Sequence, residues 1–145
     1  MKIQKTIKIA APASKIWPFL VEPRNILKWC PVETIRCTGE PHSGLKAPFY
    51  FEERAIGRLF MMNFVVTEWV INERIAFKMT SGNIVRGYEQ RYTIQNFPSG
   101  SQFTCFEDVT MPYGVIGRAA GLLRRFVSEG RLEKMLGKLK VLAEA

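Results

Sequence analysis

The sequence contains few of the residues that build metal centres or disulfide frameworks. It has one histidine, His42, and three cysteines, Cys30, Cys37 and Cys105, in 145 residues. An odd number of cysteines with no C-x-x-C pair indicates free thiols in a reducing compartment and matches no zinc pattern. His42 lies in a predicted loop without a G-x-S-x-G elbow, which does not favour a catalytic role. We therefore expect no metal and no cofactor.

Long apolar runs and targeting signals are also missing. No stretch approaches the ~18 apolar residues of a membrane-spanning helix. The N-terminal residues lack the apolar core and small-residue cleavage site of a signal peptide, and the sequence has no Asn-x-Ser/Thr acceptor for glycosylation. The lack of a membrane span, a signal peptide and a glycosylation acceptor predicts a cytoplasmic protein.

The glycines at 114, 117 and 121 form neither G-x-G-x-x-G nor a P-loop, so no nucleotide site is indicated.

Acidic residues are scarce relative to basic ones. The chain has 13 Asp and Glu against 21 Lys and Arg, giving a net charge of +8. Seven of the basic residues lie in the C-terminal segment: Arg118, Arg124, Arg125, Arg131, Lys134, Lys138 and Lys140. This pattern is typical of a solvated helix face, and it also fits weak peripheral contact of the C-terminal helix with an anionic membrane. No nucleic-acid-binding motif accompanies it, and the sequence predicts no oligomeric state.

Hydrophobic periodicity predicts a sheet followed by a long helix. At this length we expect one domain, residues 1–145. The predicted strands are residues 2–10, 32–38, 48–56, 59–70, 74–80, 85–97 and 101–111, and the predicted short helices are 12–20 and 25–29. Aromatic residues make up 12% of the chain, with 10 Phe, and they either fill the core of the sheet or line a cavity.

Alternation within the last two strands predicts which side chains point inward. Glu107 shares a face with Phe103 and is the best candidate for a buried acid, although a position at the solvated rim of the sheet is equally open. If it is buried, it needs a partner. The candidates are Arg54, Arg91, Tyr88 and a ligand hydroxyl.

The C-terminal helix carries two apolar stripes that lie roughly 140° apart at ~100° per residue. One stripe contains Leu132, Met135, Leu136, Leu139 and Leu142, and the other contains Val115, Ala119, Leu122, Leu123 and Phe126. A straight helix cannot bury both against one sheet. We therefore predict a bend near Gly130, with the first half of the helix acting as a lid over a cavity.

Several segments together resemble the START-like, or SRPBCC, superfamily. They are the strand and helix start from Ile7 to Leu20, the following Trp29, the hairpin strands around Tyr92 and Phe103, and the Leu-Lys ending from Leu136 to Glu144. The resemblance implies an α+β helix-grip fold. In that fold a curved antiparallel β-sheet wraps around a long C-terminal α-helix, two short helices follow the first strand, and a cavity lies between sheet and helix.

This resemblance also implies binding or transport of a hydrophobic or amphipathic small molecule, such as a lipid, an isoprenoid or a polyketide-like ring. Glu107 would orient the polar end of the ligand, and aromatic residues would line the cavity: Trp29, Phe51, Phe77, Tyr88, Tyr92 and Phe103. The alternative is a polyketide cyclase or dehydratase with Glu107 and Tyr88 as acid and base. A third possibility is an interaction module that uses the basic helix. An apolar cavity with one polar anchor would favour binding, whereas convergent titratable groups would favour catalysis.

Overall fold

The computed structural model describes residues 1–55, 57–110 and 129–145. Its elements are β1 (Lys2–Ile9), α1 (Ala13–Val21), α2 (Pro23–Ile26), β2 (Val32–Cys37), β3 (Pro48–Ala55), β4 (Arg58–Val70), β5 (Arg74–Gly82), β6 (Gly87–Phe97), β7 (Gly100–Thr110) and α3 (Glu129–Glu144). Every predicted strand is present, with ends that differ from the prediction by a residue or two. The second short helix begins earlier than predicted, because Pro23 is well suited to the first turn of a helix.

The strands form one antiparallel sheet of seven strands in the order β1-β7-β6-β5-β4-β3-β2. β1 and β2 are separated along the chain by only α1 and α2, yet they occupy opposite edges of the sheet. The two short helices therefore cross from one edge to the other. This arrangement confirms the helix-grip architecture that the sequence predicts.

Local irregularities bend the sheet. The register between β4 and β5 shifts twice, between Asn63 and Phe64 and between Val66 and Glu68. Such bulges increase local twist and curve a sheet, which here creates a concave face. The turn between β6 and β7 depends on Gly100, which has φ of 144°, and a Cβ there would collide with the carbonyl oxygen of Ile9.

The concave face holds the core. On β6, Tyr88, Tyr92 and Ile94 are buried, and on β7 the predicted inward face, which includes Phe103 and Glu107, is fully enclosed. On β4 the alternation of the sequence does not decide which face is buried, because Asn63 and Glu68 fall on opposite parities. The structure buries the alternate side chains Phe60, Met62, Phe64 and Val66.

Helix α3 covers part of this face and packs against β1 and α1. Its predicted stripe is confirmed, since Leu132, Met135, Leu136 and Leu139 are all buried. Gly130 lies within the helix. The second predicted stripe and the lid fall on residues 111–128, outside the described residues. The segment that would precede the predicted bend near Gly130 lies there too, so the bend stays a prediction.

Candidate functional site

A cavity of about 120 Å³ lies between the concave face of the sheet, the helices α1 and α2, strand β2 and the loop that joins β2 to β3. Some of its lining residues are exposed to solvent: Pro23 of α2, Arg36 of β2, and His42 and Ser43 of the loop. They mark its mouth. The cavity therefore opens between α2 and the loop that joins β2 to β3.

Four of the predicted lining residues, Trp29, Phe51, Phe77 and Tyr92, lie in the walls of this cavity. Trp29 is 1% exposed, and its indole Nε1–H donates a hydrogen bond to the carbonyl oxygen of Phe19 at 2.8 Å. Phe51 stacks on Phe64 with ring centroids 4.7 Å apart. Because these rings are held by packing and hydrogen bonds, the apolar wall is preorganised rather than formed by mobile side chains.

The other three predicted residues, Tyr88, Phe103 and Glu107, are buried but do not line the cavity. Phe103 lies behind the wall and packs against Trp29 and Tyr92, with ring centroids 6.3 and 5.5 Å apart, respectively. Parity identified the correct face of the sheet, but these residues lie farther along it, away from α2. Further wall residues, which the sequence did not single out, are Leu20, Val21, Ile26, Cys30, Val32, Ile35, Cys37, Ala47, Pro48, Phe49, Val66, Trp69, Ile75 and Gln90. Among the described residues of α3, only Met135 contributes.

A cluster of buried charges lies beside the cavity. Arg131 of α3 holds Glu53 of β3 through Nε at 3.0 Å and through Nη2 at 2.6 and 2.8 Å from the two carboxylate oxygens. Its Nη1 lies 3.6 Å from Oε1 of Glu107. One guanidinium thus faces two carboxylates, and the three groups together carry an excess negative charge when both acids are ionised.

Burial dominates the titration of both acids. Removal from water raises the pKa of the Glu107 carboxyl above its ordinary value, although Arg131, Tyr88 and Gln90 each favour the ionised form. Burial likewise raises the pKa of Glu53, which the ion pair with Arg131 opposes. The folded protein therefore binds protons at this cluster more readily than exposed carboxylates would.

Gln90 of β6 connects the cluster with the cavity. Its Nε2 donates a hydrogen bond to Oε1 of Glu107 at 2.7 Å, while the same side chain lines the cavity wall. The wall also includes Cys30 and Tyr92, whose side chains carry a thiol and a hydroxyl. Burial raises the pKa of Cys30, so its thiol stays protonated and is not a nucleophile at neutral pH.

The ion pairs correct two expectations about charge. Arg54 pairs with Glu33 at 3.0 Å and Arg91 pairs with Glu68 at 2.7 Å, so neither is the cation that serves Glu107. That cation is Arg131, which the sequence had placed on a solvated basic face. Arg131 lies one turn before Met135 on the same side of the helix, and this i, i+4 spacing is the signal that could have identified it.

The rest of the basic segment on α3 behaves differently from Arg131. Lys134 and Lys138 are exposed, and Lys140 donates a hydrogen bond to the carbonyl oxygen of Lys8 at 3.0 Å and pairs with Glu144. Contact of this surface with a membrane stays a prediction. Within the described ranges, no helix is long and apolar enough to cross a membrane, and no three His, Cys, Asp or Glu side chains are grouped so that they could hold a metal ion.

Comparison with known proteins identifies the family. Residues 1–144 match the family described as polyketide cyclase / dehydrase and lipid transport, and the chain belongs to it. It is thus a member of a family associated with hydrophobic ligands. No curated protein matches the sequence.

Solved structures share the fold at low sequence identity. The Zhui aromatase/cyclase from Streptomyces sp. R1128 superimposes with a TM-score of 0.79 at 16% identity, covering 99% of this chain and 93% of that one. A START superfamily protein from Mycobacterium smegmatis gives a TM-score of 0.76 at 19% identity, with coverage of 97% and 98%. The di-domain aromatase/cyclase BexL from the BE-7585A biosynthetic pathway gives 0.78 at 20% identity over all of this chain and 50% of its own. These likenesses show the fold.

Proposed function

We propose that this protein binds a hydrophobic or amphipathic small molecule, of the lipid, isoprenoid or polyketide-like ring type, in the cavity between the sheet and α2. The observation that carries the proposal is a cavity with an aromatic wall, a mouth at the surface and an apolar interior. Concave, mostly apolar sites with a few polar groups are the usual form of small-molecule sites. Membership of a family associated with hydrophobic ligands supports the same assignment.

The volume limits what the interior can hold. Cavities of about 150 Å³ lined by apolar side chains bind one benzene ring. At about 120 Å³ this cavity is in the same range. The buried part of the ligand therefore corresponds to about one ring or a short branched chain, and a longer ligand extends through the mouth past His42.

The distribution of titratable groups favours binding over catalysis. The acid and base that the enzyme alternative requires are Glu107 and Tyr88, and neither lines the cavity. Glu107 is separated from the interior by Gln90, and its nearest cation, Arg131, also holds Glu53. Burial raises the pKa of both Cys30 and Tyr92, so the amide, thiol and hydroxyl of the wall are all neutral. Neutral polar groups beside apolar walls resemble a ligand anchor more than a pair of convergent catalytic groups.

A pair of matched variants tests the proposal. Ile35→Phe inserts a larger side chain into the cavity wall, whereas Ile71→Phe makes the same change at a turn residue that is 64% exposed. Toluene, titrated by NMR against the intact chain, should bind the wild type and Ile71→Phe equally. We expect Ile35→Phe to weaken toluene binding by roughly 10-fold or more, because a filled cavity has no room for the ring.

The outcomes separate cleanly. Equal toluene affinity in all three proteins would place binding elsewhere on the molecule, and no binding to the wild type would refute the proposal. Native mass spectrometry of protein purified from its own host gives an independent readout, since a co-purifying ligand lost in Ile35→Phe identifies the natural class of occupant.

A further inference from the structure

Gln90 both donates a hydrogen bond to the buried acid cluster and lines the cavity. It is 7% exposed and lies at the centre of the sheet, on β6, where it pairs with both Phe77 of β5 and Glu107 of β7. A primary amide has a donating end and an accepting end. The end that faces the cavity decides which polar group a ligand can present there.

Glu107 determines this orientation. When Glu107 is ionised, its carboxylate only accepts hydrogen bonds, so the nitrogen end of Gln90 faces it. Burial raises the pKa of Glu107, so this orientation becomes fixed once pH has risen far enough to remove its proton. The structure has this arrangement, with Nε2 at 2.7 Å from Oε1 of Glu107 and at 3.8 Å from Sγ of Cys105. Both donor contacts of the amide are thereby directed away from the cavity. The carbonyl oxygen of Gln90 accepts no hydrogen bond from any described residue.

We propose that Gln90 makes the cavity selective for apolar ligands that carry a hydrogen-bond donor, such as a phenol or an alcohol on a ring, by presenting a fixed carbonyl acceptor to the ligand. This inference rests on the proposed function and specifies its ligand class. A buried acceptor without a donor costs free energy, so a ligand hydroxyl that reaches Gln90 satisfies both partners.

The surroundings of Gln90 disfavour the other polar classes. An ether or a ketone presents an acceptor to an acceptor. A carboxylate ligand would also approach Glu107 and Glu53, whose two acids outnumber the single guanidinium of Arg131.

Three probes of about one ring test the selectivity on the wild-type chain: phenol, its methyl ether anisole, and toluene. Dissociation constants come from NMR titration at neutral pH. We expect phenol to bind more tightly than anisole by roughly 2- to 10-fold, the range of one net hydrogen bond. Anisole lacks the hydroxyl donor but keeps the oxygen. The difference between the two dissociation constants therefore reports the hydrogen bond that the Gln90 oxygen accepts from phenol.

Two variants assign the effect to the amide. Gln90→Met keeps the length of the side chain and removes its acceptor, so the preference for phenol should disappear while toluene affinity stays within about 2-fold. Glu107→Gln keeps Gln90 but replaces the carboxylate with a group that can donate or accept. Gln90 can then turn its nitrogen end to the cavity, and the ratio of phenol to anisole affinity should fall.

Each failure has a different meaning. If toluene does not bind the wild type, the proposed function fails. If toluene binds but phenol has no advantage over anisole, the proposed function stands and the role of Gln90 is refuted. An advantage that survives in Gln90→Met also refutes it. Should Gln90→Met fail to fold, as judged by circular dichroism, the comparison between the wild type and Glu107→Gln decides.

Discussion

Arg131 on the final helix and Glu53 on β3 form a two-pronged ion pair, with Nη2 within 2.6 and 2.8 Å of the two carboxylate oxygens. Glu53 is 3% exposed, and the pair connects the C-terminal helix to a strand far from it in sequence. Two planar groups that meet in this way fix distance and angle together. The pair therefore sets the position of α3 over the sheet as well as contributing to stability.

Loss of Arg131 should destabilise the fold strongly. Arg131→Met leaves Glu53 and Glu107 buried without their cation, and breaking a buried pair in this way costs about 3–5 kcal/mol. The matched control is Lys138→Met on the exposed side of α3, where we expect a change within about 0.5 kcal/mol. Urea unfolding monitored by circular dichroism measures both, and similar losses in the two variants would contradict a structural role for the pair.

The pH dependence of stability should change in Glu107→Gln. Burial raises the folded pKa of Glu107 above its ordinary value of 4.5, so the folded state binds this proton more tightly than the unfolded chain. The resulting stability is present below the unfolded pKa and is lost as pH rises through the folded pKa. Glutamine does not titrate. The stability of the variant relative to wild type should therefore increase as pH rises above the ordinary carboxyl range and through the raised folded pKa of Glu107.

The control for that experiment is Glu73→Gln, at an exposed turn residue between β4 and β5. Its difference from wild type should remain within about 0.5 kcal/mol across the same range. A Glu107→Gln difference that is equally flat would mean that the proton on Glu107 is not linked to folding.

Two identical substitutions should have opposite effects. Gly100→Ala places a Cβ against the carbonyl oxygen of Ile9 at a φ of 144°, so we expect a loss of more than about 1 kcal/mol. Gly137→Ala lies within α3 with no atom near the new methyl group, and it should stabilise by about 0.5–1 kcal/mol because alanine favours the helix. Thermal unfolding distinguishes them. A Gly100→Ala variant as stable as wild type would contradict the packing described at Gly100, and a destabilised Gly137→Ala would contradict the open surroundings of Gly137.

The two cavity tryptophans should respond differently to Trp→Phe. Trp29 and Trp69 both line the cavity, but the Trp29 indole also donates to the carbonyl oxygen of Phe19. Trp29→Phe leaves that acceptor without its donor, which costs about 1–3 kcal/mol beyond the lost ring area. Trp69→Phe should lose less stability. Equal losses would show that the hydrogen bond to Phe19 contributes nothing.

The architecture was accessible from the sequence because local patterns encode it. Strict alternation identified the inward faces of β6 and β7, and the segment Phe97-Pro98-Ser99-Gly100 predicted their turn. On β4 alternation gave no decision, because Asn63 and Glu68 fall on opposite parities of the strand. Bulges on either side of this segment, seen only in the pairing with β5, change the register there.

The site was less accessible because it depends on contacts distant in sequence. Glu53 lies two residues after Phe51, so the sequence places both side chains on the same face of β3. The residues around Glu53 do not indicate that α3 brings Arg131 to it. The clustering of basic residues grouped Arg131 with exposed lysines, because a count of charges does not show whether a side chain points into the core or toward solvent. The mouth of the cavity, formed by α2 and the loop that contains His42, likewise depends on tertiary packing.

The position of β1 at the sheet edge beside β7 has a consequence for biosynthesis. The amino group of Met1 contacts the carbonyl oxygen of Val109, 108 positions later in the chain. β1 leaves the ribosome before β7, so it cannot form this pairing until β7 has been synthesised. Long-range pairing of this kind slows folding, because the chain loses the entropy of loop closure before it gains the stabilising contacts between the strands. The apolar side of β1 therefore stays exposed in the nascent chain until β7 emerges. We expect chaperones to bind this strand mainly during that interval.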